Sequence, residues 1–299
     1  KLLVDGMSKY QTHIKKVEDL FFNILMIDFH YSATLDEAML SKIQTSDDSP
    51  TKGKGQTTTQ RFNNIVAEIS RQPHEIRTFV QTSASKAILS LGDHFRNEFI
   101  NFITQQAKNV TLTMEFPSIA IAVIRQYIKK YPKSVSRYLP QLTEAILYCL
   151  DPNNPILRKS CQKSATTALQ AIFKTFPNSA FNQTTQKFAI STNNAKIMIY
   201  DLRTAVCIKT LEGHTEPISC VLFDNNGSQL ASFSAGDLSL RVWKLSGFFG
   251  SVIGFGGKYK KNVSLDKKSL EGKGKSHLDR KYRMEWRDGE NNLVLIMDE

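Results

Sequence analysis

The stretch of sequence that decides the fold runs from residue 187 to residue 244 and reads KFAISTNNAKIMIYDLRTAVCIKTLEGHTEPISCVLFDNNGSQLASFSAGDLSLRVWK. In it, the apolar run that ends Ile199-Tyr200-Asp201-Leu202 resembles the later segment Arg241-Val242-Trp243-Lys244. The aromatic residues of the two segments, Tyr200 and Trp243, are 43 positions apart. The pair Gly213-His214 lies between them. A repeat of about 40 to 45 residues with these marks is typical of proteins built from similar β-sheets.

These spacings are the signature of WD40 propeller blades. The predicted strands are, in order, 186–191, 196–200, 206–211, 217–223, 229–234 and 238–245. Asn226-Gly227 predicts a hairpin turn in which both residues have positive φ, and Gly236 is expected to supply the unusual backbone angle of the next turn. The sequence thus predicts one blade that is partly visible and a second blade that is nearly complete.

The second repeat also predicts a buried polar row. Asp237 lies six residues before Trp243, so it can occupy a turn while His214 and a serine of the middle strand stand between it and the indole. The serine is Ser232 or Ser234, and the spacing alone leaves both open. Hydrogen bonds along such a row satisfy polar groups that are otherwise costly to bury, so we expect a structural role and no catalysis.

Two further segments carry strand patterns. Residues 248–253 are predicted to finish the second blade, and 282–286 and 293–297 to form a hairpin around 287–290. Two blades and part of a third are too few to close a ring of four to eight blades. Because the chain also begins with Lys1, we expect it to be a fragment whose ring is completed by strands encoded upstream.

The part before residue 182 has helical periodicity, with apolar residues such as Phe95, Phe99 and Phe102 three or four positions apart. Pro132 and Pro177 each follow a helical run and stand 45 residues apart, which fits the length of a HEAT or armadillo unit. An irregular bundle is the alternative. The predicted fold class is therefore an α + β multidomain protein, with HEAT/armadillo-like repeats followed by WD40 blades. Its predicted divisions are a helical segment 1–44, a flexible linker 45–60, helical repeats 61–181, WD40 blades 182–257, a basic flexible loop 258–281 and a closing hairpin 282–299.

Composition and motifs indicate a scaffold. The 299 residues are 41% apolar, and they contain no run long enough to span a bilayer and no visible signal peptide. The four cysteines have no CxxC spacing, and Gly272-Lys273-Gly274-Lys275-Ser276 lacks the first glycine of a phosphate loop. We therefore expect no catalytic residue, no cofactor and no bound metal.

The net charge of +11 is concentrated in part between residues 258 and 281, which carry nine Lys or Arg and three acidic residues. Such a composition is typical of a solvated, mobile insertion. The functional alternative is contact with an acidic protein surface or anionic lipid headgroups. The residues expected to make that contact are Lys258, Lys260, Lys261, Lys267 and Lys268. Nucleic acid is not expected, because Tyr259 is the only aromatic residue of the loop.

The order of these parts resembles the C-terminal end of the rabconnectin beta-subunit family. The resemblance lies in Phe188-Ala189-Ile190-Ser191, in the segment from Gly213-His214 to Ile218, in Leu240-Arg241-Val242-Trp243 and in the terminal Arg283-Met284-Glu285-Trp286, and it is tightest over 165–257 and 282–298.

This resemblance implies a non-catalytic subunit of a hetero-oligomeric complex that assembles or regulates the vacuolar proton-pumping ATPase on vesicles. The implied partners are a rabconnectin alpha-like subunit and the cytosolic sector of the pump. The implied location is the cytoplasm, peripherally on vesicle or endolysosomal membranes. A vesicle-coat or ciliary-transport scaffold is the alternative, and an enzyme is disfavoured by the absent motifs.

Overall fold

The computed structural model describes residues 17–35, 64–65, 67–111, 116–245, 259–266, 276–287 and 292–298. In the first half these residues are helical. The helices are α1 Val17–Leu35, α2 His74–His94, α3 Arg96–Ala107, α4 Phe116–Lys130, α5 Pro132–Val135, the 3-10 turn Ser136–Tyr138, α6 Leu139–Tyr148 and α7 Pro155–Thr175. Within this region no described helix is both long and apolar enough to cross a membrane.

Local sequence explains the helix boundaries. Pro132 occupies the first turn of α5, where its missing N–H costs nothing, and the bend from α4 falls at Tyr131. Helix α7 begins with Pro155 behind the N-cap Asn154, whose side chain accepts a hydrogen bond from the Leu157 N–H at 3.1 Å. It ends at Thr175, just before Phe176 and Pro177.

The helices pack through aromatic residues and a few buried polar pairs. The Phe99 ring lies between Phe21 of α1, at 5.3 Å between centroids, and Tyr127 of α4, at 4.8 Å. The Ser85 hydroxyl donates to the buried Asp28 carboxylate at 2.7 Å and so links α2 to α1. The helical half is thus established, whereas its interpretation as HEAT/armadillo-like repeats stays a prediction.

Three antiparallel sheets follow the helices. The first contains β1 Ser179–Asn182, β2 Lys187–Ser191, β3 Ile197–Asp201 and β4 Val206–Leu211, and the second contains β5 Cys220–Phe223, β6 Gln229–Ser234, β7 Ser239–Lys244 and β8 Tyr259–Ser264. The third is the hairpin of β9 Lys281–Arg287 and β10 Asn292–Asp298. Both four-stranded sheets run in sequence order, and both have a register shift between their third and fourth strands. The two sheets are therefore copies of one blade.

The blades are layered one against the next. One face of the first blade, with Ala189, Ile197 and Ile199, shares a core with Leu230 and Trp243 of the second. The other face of the second blade packs against the β9–β10 hairpin, where the Phe233 and Tyr282 ring centroids are 4.9 Å apart. The first strands β1, β5 and β9 follow one another across these layers, as the inner strands of successive propeller blades do.

The outer face of the first blade is covered by helices. Phe188, Ile190 and Tyr200 are buried in the same apolar cluster as the side chains of α1 to α7. Hydrogen bonds join the two parts at the rim, including one from the Arg158 guanidinium to the Arg203 carbonyl at 3.0 Å. The helical layer therefore occupies the side of the first blade that a preceding blade covers in a propeller.

The structure corrects two predicted boundaries. Strand β1 begins at Ser179, inside the segment 61–181 that was predicted to be helical, because the four residues of this strand are too few to show a period of two. The fourth strand of the second blade is β8 rather than residues 248–253, which lie outside the described residues. Strand β8 falls in the segment 258–281, so this segment is not simply a flexible loop. Its apolar Val263 pairs with Leu240, and the charged residues around it mask the strand pattern.

The predicted turn chemistry is also corrected. In the hairpin that follows β5, positive φ is found at Gly227 (68°) and not at Asn226. In the hairpin that follows β6, Leu238 (φ 54°) has the left-handed conformation rather than Gly236. The loops before β2 and β4 end in the same way, at Gln186 (φ 52°) and Ala205 (φ 58°). In these three loops the left-handed residue is the last one before the next strand, and its side chain differs from loop to loop.

Candidate functional site: a buried polar row and the surfaces around it

The structure brings the four predicted row residues together inside the second blade. The Trp243 indole N–H donates to the Ser232 hydroxyl oxygen at 2.8 Å. His214 Nε2 lies 2.8 Å from the same Ser232 oxygen, and His214 Nδ1 lies 2.8 Å from Asp237 Oδ2. Strand β6 supplies Ser232, strand β7 supplies Trp243, and the loops that precede β5 and β7 supply the imidazole and the carboxylate.

One set of hydrogen-bond directions satisfies this geometry with a neutral imidazole. Because the indole can only donate, the Ser232 oxygen accepts from Trp243, and its own O–H is directed to His214 Nε2. The imidazole then carries its proton on Nδ1 and donates to Asp237. A neutral His214 satisfies every donor and acceptor along the row.

Electrostatics agree with that protonation state. Burial lowers the pKa of His214, although the neighbouring Asp237 acts in the opposite direction. For Asp237, burial alone would raise the pKa, but hydrogen bonds from Ser239 and His214 hold it below its usual value. The row therefore pairs a neutral imidazole with an ionised carboxylate at neutral pH.

The sequence left one choice open and missed one member of this cluster. Ser234 lies outside the row and donates to the Pro217 carbonyl at 2.9 Å. Ser239, which the spacing did not single out, donates to Asp237 Oδ1 at 2.6 Å through its hydroxyl and at 3.0 Å through its backbone N–H. An Asp-x-Ser sequence in a tight turn is the signal that identifies this contact, since Asp side chains often accept from the N–H two residues later.

An Asp-His-Ser relay is also the arrangement that activates a serine nucleophile. Here the Ser232 side chain is fully buried, and its oxygen already accepts from the Trp243 indole. A substrate has no access to this oxygen. The geometry therefore favours a structural role for the row over nucleophilic catalysis.

Gly213 packs closely beside the row. A Cβ at this position would lie 3.1 Å from Cη2 of Trp243 and would meet a guanidinium nitrogen of Arg241, which would have to move. The Gly-His pair thus lets the loop before β5 pass over the indole while His214 enters the blade.

The outer edge of the first blade is an exposed apolar strand. In β4, Val206 is 55% exposed and Ile208 is 47% exposed. Beside it a groove of about 380 Å³ separates the hairpin that joins β3 to β4 from helix α6, and its lining includes Tyr148, Tyr200 and Cys207. This surface is open, and it lies where the helical layer meets the blade.

The lysines predicted to contact an anionic surface are only partly described. Lys261 is exposed on β8, and Lys260 belongs to the same strand. Lys258, Lys267 and Lys268 lie outside the described residues. Within the described parts of the chain, no group of three or more His, Cys, Asp or Glu residues could hold a metal ion.

Comparison with known proteins agrees with the blade geometry. Residues 205–244 match the model of the family described as "WD domain, G-beta repeat". Among solved structures, the chain is similar to Kluyveromyces lactis Hsv2, with 15% identity and a TM-score of 0.26 over 40% of this chain and 45% of that one. It is also similar to the β-propeller domain of Myceliophteria thermophila Cps50 (Swd1), with 15% identity and a TM-score of 0.26 over 41% of this chain and 37% of that one. The chain thus spans less than half the length of either structure.

The repeat match and the buried row together show that the chain contains a WD repeat at residues 205–244. The segment 205–244 that carries the match contains the last strand of the first blade and strands β5, β6 and β7, with the whole polar row. WD repeats generally mediate contacts between proteins and generally do not catalyse reactions.

Proposed function

We propose that the protein is a non-catalytic scaffold subunit of a rabconnectin-like complex, of the WD repeat-containing protein 7 type, that assembles or regulates the vacuolar proton-pumping ATPase. The observation that carries the proposal is the shared core of the helical layer and the first blade, in which Phe188, Ile190 and Tyr200 are buried among helices. The family resemblance runs across this junction, from residue 165 to residue 257. A scaffold of this kind presents continuous surfaces and needs no reactive centre.

The proposed partners are a rabconnectin alpha-like subunit and the cytosolic sector of the pump. The proposed location is the cytoplasmic side of vesicle or endolysosomal membranes, with peripheral attachment. The open surfaces support a role in binding proteins, since the β4 edge exposes Val206 and Ile208 next to a groove. The interpretation of residues 61–181 as a HEAT/armadillo-like solenoid belongs to the same proposal.

An affinity pulldown from native vesicle extracts tests this function with the full chain as bait. We expect recovery of the alpha subunit and of cytosolic-sector pump subunits. Trp243→Ala removes a buried side chain at a cost of about 3–5 kcal/mol and should abolish recovery by disrupting the second blade. Phe79→Ala is the control, because this aromatic side chain is 71% exposed on α2 and contributes little to the core.

The alternative function is a scaffold for a vesicle coat or for ciliary transport. The same observation favours it, since helices joined to blades also suit such an assembly. Recovery of coat or ciliary components in place of pump subunits, with unchanged organelle acidification after depletion of the protein, would replace the first proposal by this one.

A further inference from the structure

Four helical segments in the second half of the helical layer carry charge of one sign. Helices α4, α5 and α7 and the 3-10 turn contain nine Lys or Arg residues and no Asp or Glu. These residues are Arg125, Lys129, Lys130, Lys133, Arg137, Arg158, Lys159, Lys163 and Lys174. Exposed helices usually interleave the two signs, because pairs of opposite charge three or four residues apart stabilise them. The acidic residues between positions 116 and 175 are Glu144 of α6 and Asp151 of the loop before α7, so the four segments contain no counter-charge within themselves.

Most of these cations face solvent. The exposed lysines are Lys129, Lys130, Lys133, Lys159, Lys163 and Lys174. Among the described residues, the ion pairs of the protein involve other cations, such as Arg96 with Asp93 and Lys196 with Glu212. The repulsion among these lysines is relieved only by salt or by an anionic partner.

Helix α7 adds a groove to this charge. Lys159, Gln162, Lys163, Thr166 and Thr167 line a shallow groove of about 400 Å³ along its outer face. Their spacing places all five on one side of the helix. Two ammonium groups and a carboxamide in a row are hydrogen-bond donors that match carboxylate oxygens.

The neighbouring helix α4 also ends in basic residues. Helix α4 packs along α7, and the hydroxyl oxygens of Ser118 and Ser164 are 2.7 Å apart. Lys129 and Lys130 end α4, and Lys133 follows in α5. The basic face is therefore that of α7, on which Lys159 and Lys163 are exposed.

We propose that this basic face, centred on Lys159 and Lys163, binds an acidic polypeptide segment of a partner protein. A polypeptide fits the observations better than a bilayer, because the groove is lined by polar side chains and offers no aromatic or large aliphatic anchor for the membrane interface. It also fits better than nucleic acid, because no aromatic side chain in the groove lining can stack on a base. The inference concerns a surface away from the blades and does not depend on the proton pump.

The test is a fluorescence anisotropy titration of the full chain with a labelled peptide rich in glutamate. We expect binding at low ionic strength that weakens as salt is added. Replacing both Lys159 and Lys163 by Gln should weaken binding by about tenfold, since it removes two charge-assisted contacts. Lys86→Gln is the matched control, because Lys86 is an exposed helical lysine on α2, and it should bind as the wild type does.

Two outcomes would overturn the inference. In the first, the Lys159→Gln, Lys163→Gln variant binds the peptide as tightly as the wild type, which would place any acidic contact elsewhere. In the second, the wild type ignores the peptide and binds vesicles of anionic phospholipid through the same lysines. Far-UV circular dichroism checks that the variants keep their helices. Failure of the pump pulldown would leave this result untouched, so the two proposals fail separately.

Discussion

Replacing Ser232 by Ala should destabilise the protein far more than replacing Ser234, although both are fully buried serines on the same strand. Ser232 bridges the two rings of the row through hydrogen bonds. Its oxygen accepts from the Trp243 indole and its hydroxyl donates to His214 Nε2, both at 2.8 Å. Ser234 makes its best hydrogen bond to the carbonyl of Pro217, an exposed residue.

The expected magnitudes follow from the groups that each change leaves unpaired. Ser232→Ala removes the hydrogen-bonding partner of the buried indole N–H and of a buried imidazole nitrogen, and each unsatisfied buried group costs about 1–3 kcal/mol. The predicted loss is therefore about 2–6 kcal/mol in the free energy of unfolding. Ser234→Ala frees the carbonyl of the exposed Pro217 and removes a long hydrogen bond from the Asp237 N–H at 3.4 Å, so its predicted cost is about 1 kcal/mol.

Urea unfolding of the full chain, followed by far-UV circular dichroism, measures both losses. A double-mutant cycle with Trp243→Phe sharpens the test, because Phe removes the indole donor and keeps an aromatic ring in the core. The two changes should be non-additive, with a coupling of about 1 kcal/mol or more. Equal losses for the two serine variants, or an additive cycle, would show that the row does not hold the blade together.

Three further predictions concern single positions. Burial lowers the pKa of His214 below the value of about 6.5 in an unfolded chain. The contribution of His214 to stability is therefore present above that pH and is lost as the pH falls towards the folded pKa. Urea midpoints measured from pH 7.5 to 5 should fall more steeply for the wild type than for His214→Asn. Gln186→Gly should raise the free energy of unfolding by about 0.5 kcal/mol, because it relieves a left-handed residue (φ 52°) at some cost in chain entropy, and a lowered urea midpoint would refute this. Gly227→Ala should cost about 1–3 kcal/mol in the same assay, since it puts a side chain at φ 68° with its Cβ 2.5 Å from the Thr185 hydroxyl oxygen, and an unchanged midpoint would contradict the described turn.

The sequence was most informative where local pattern and tertiary packing agree. Strands β2, β3, β6 and β7 lie within one or two residues of their predicted positions, because each combines apolar alternation with a clear turn at its end. The hairpin of β9 and β10 pairs as expected, with Tyr282 opposite Met297. The helices from α3 onwards were visible for the same reason, since their apolar residues keep a period near 3.6.

What the sequence could not supply depends on distant contacts. Strand β1 is short and is defined by pairing with β2 and by the hydrogen bond from the Val221 N–H to the Pro177 carbonyl at 2.9 Å. Strand β8 is separated from β7 by residues 245–258, whereas only residues 202–205 separate β4 from β3. Because the length of the loop before the fourth strand varies between blades, a fixed repeat spacing does not predict the position of that strand. The choice between Ser232 and Ser234 likewise needed the register of β6 against β7, which places Leu230 opposite Trp243.

That register explains why the two blades are held by different forces. In the first blade, Phe188 stands opposite Tyr200, as Leu230 stands opposite Trp243 in the second. Two residues further along the middle strand, the second blade has Ser232 at the centre of the polar row, and the first has the fully buried Ile190. Ile190 and Tyr200 pack against the helical layer and not against a polar partner. The first blade therefore replaces the hydrogen-bonded row with apolar contacts to helices, so its outer face is stable only while that layer covers it. Helices cover this face of the first blade in place of a preceding blade. The helical layer therefore joins the WD repeat directly, and the two form one continuous scaffold.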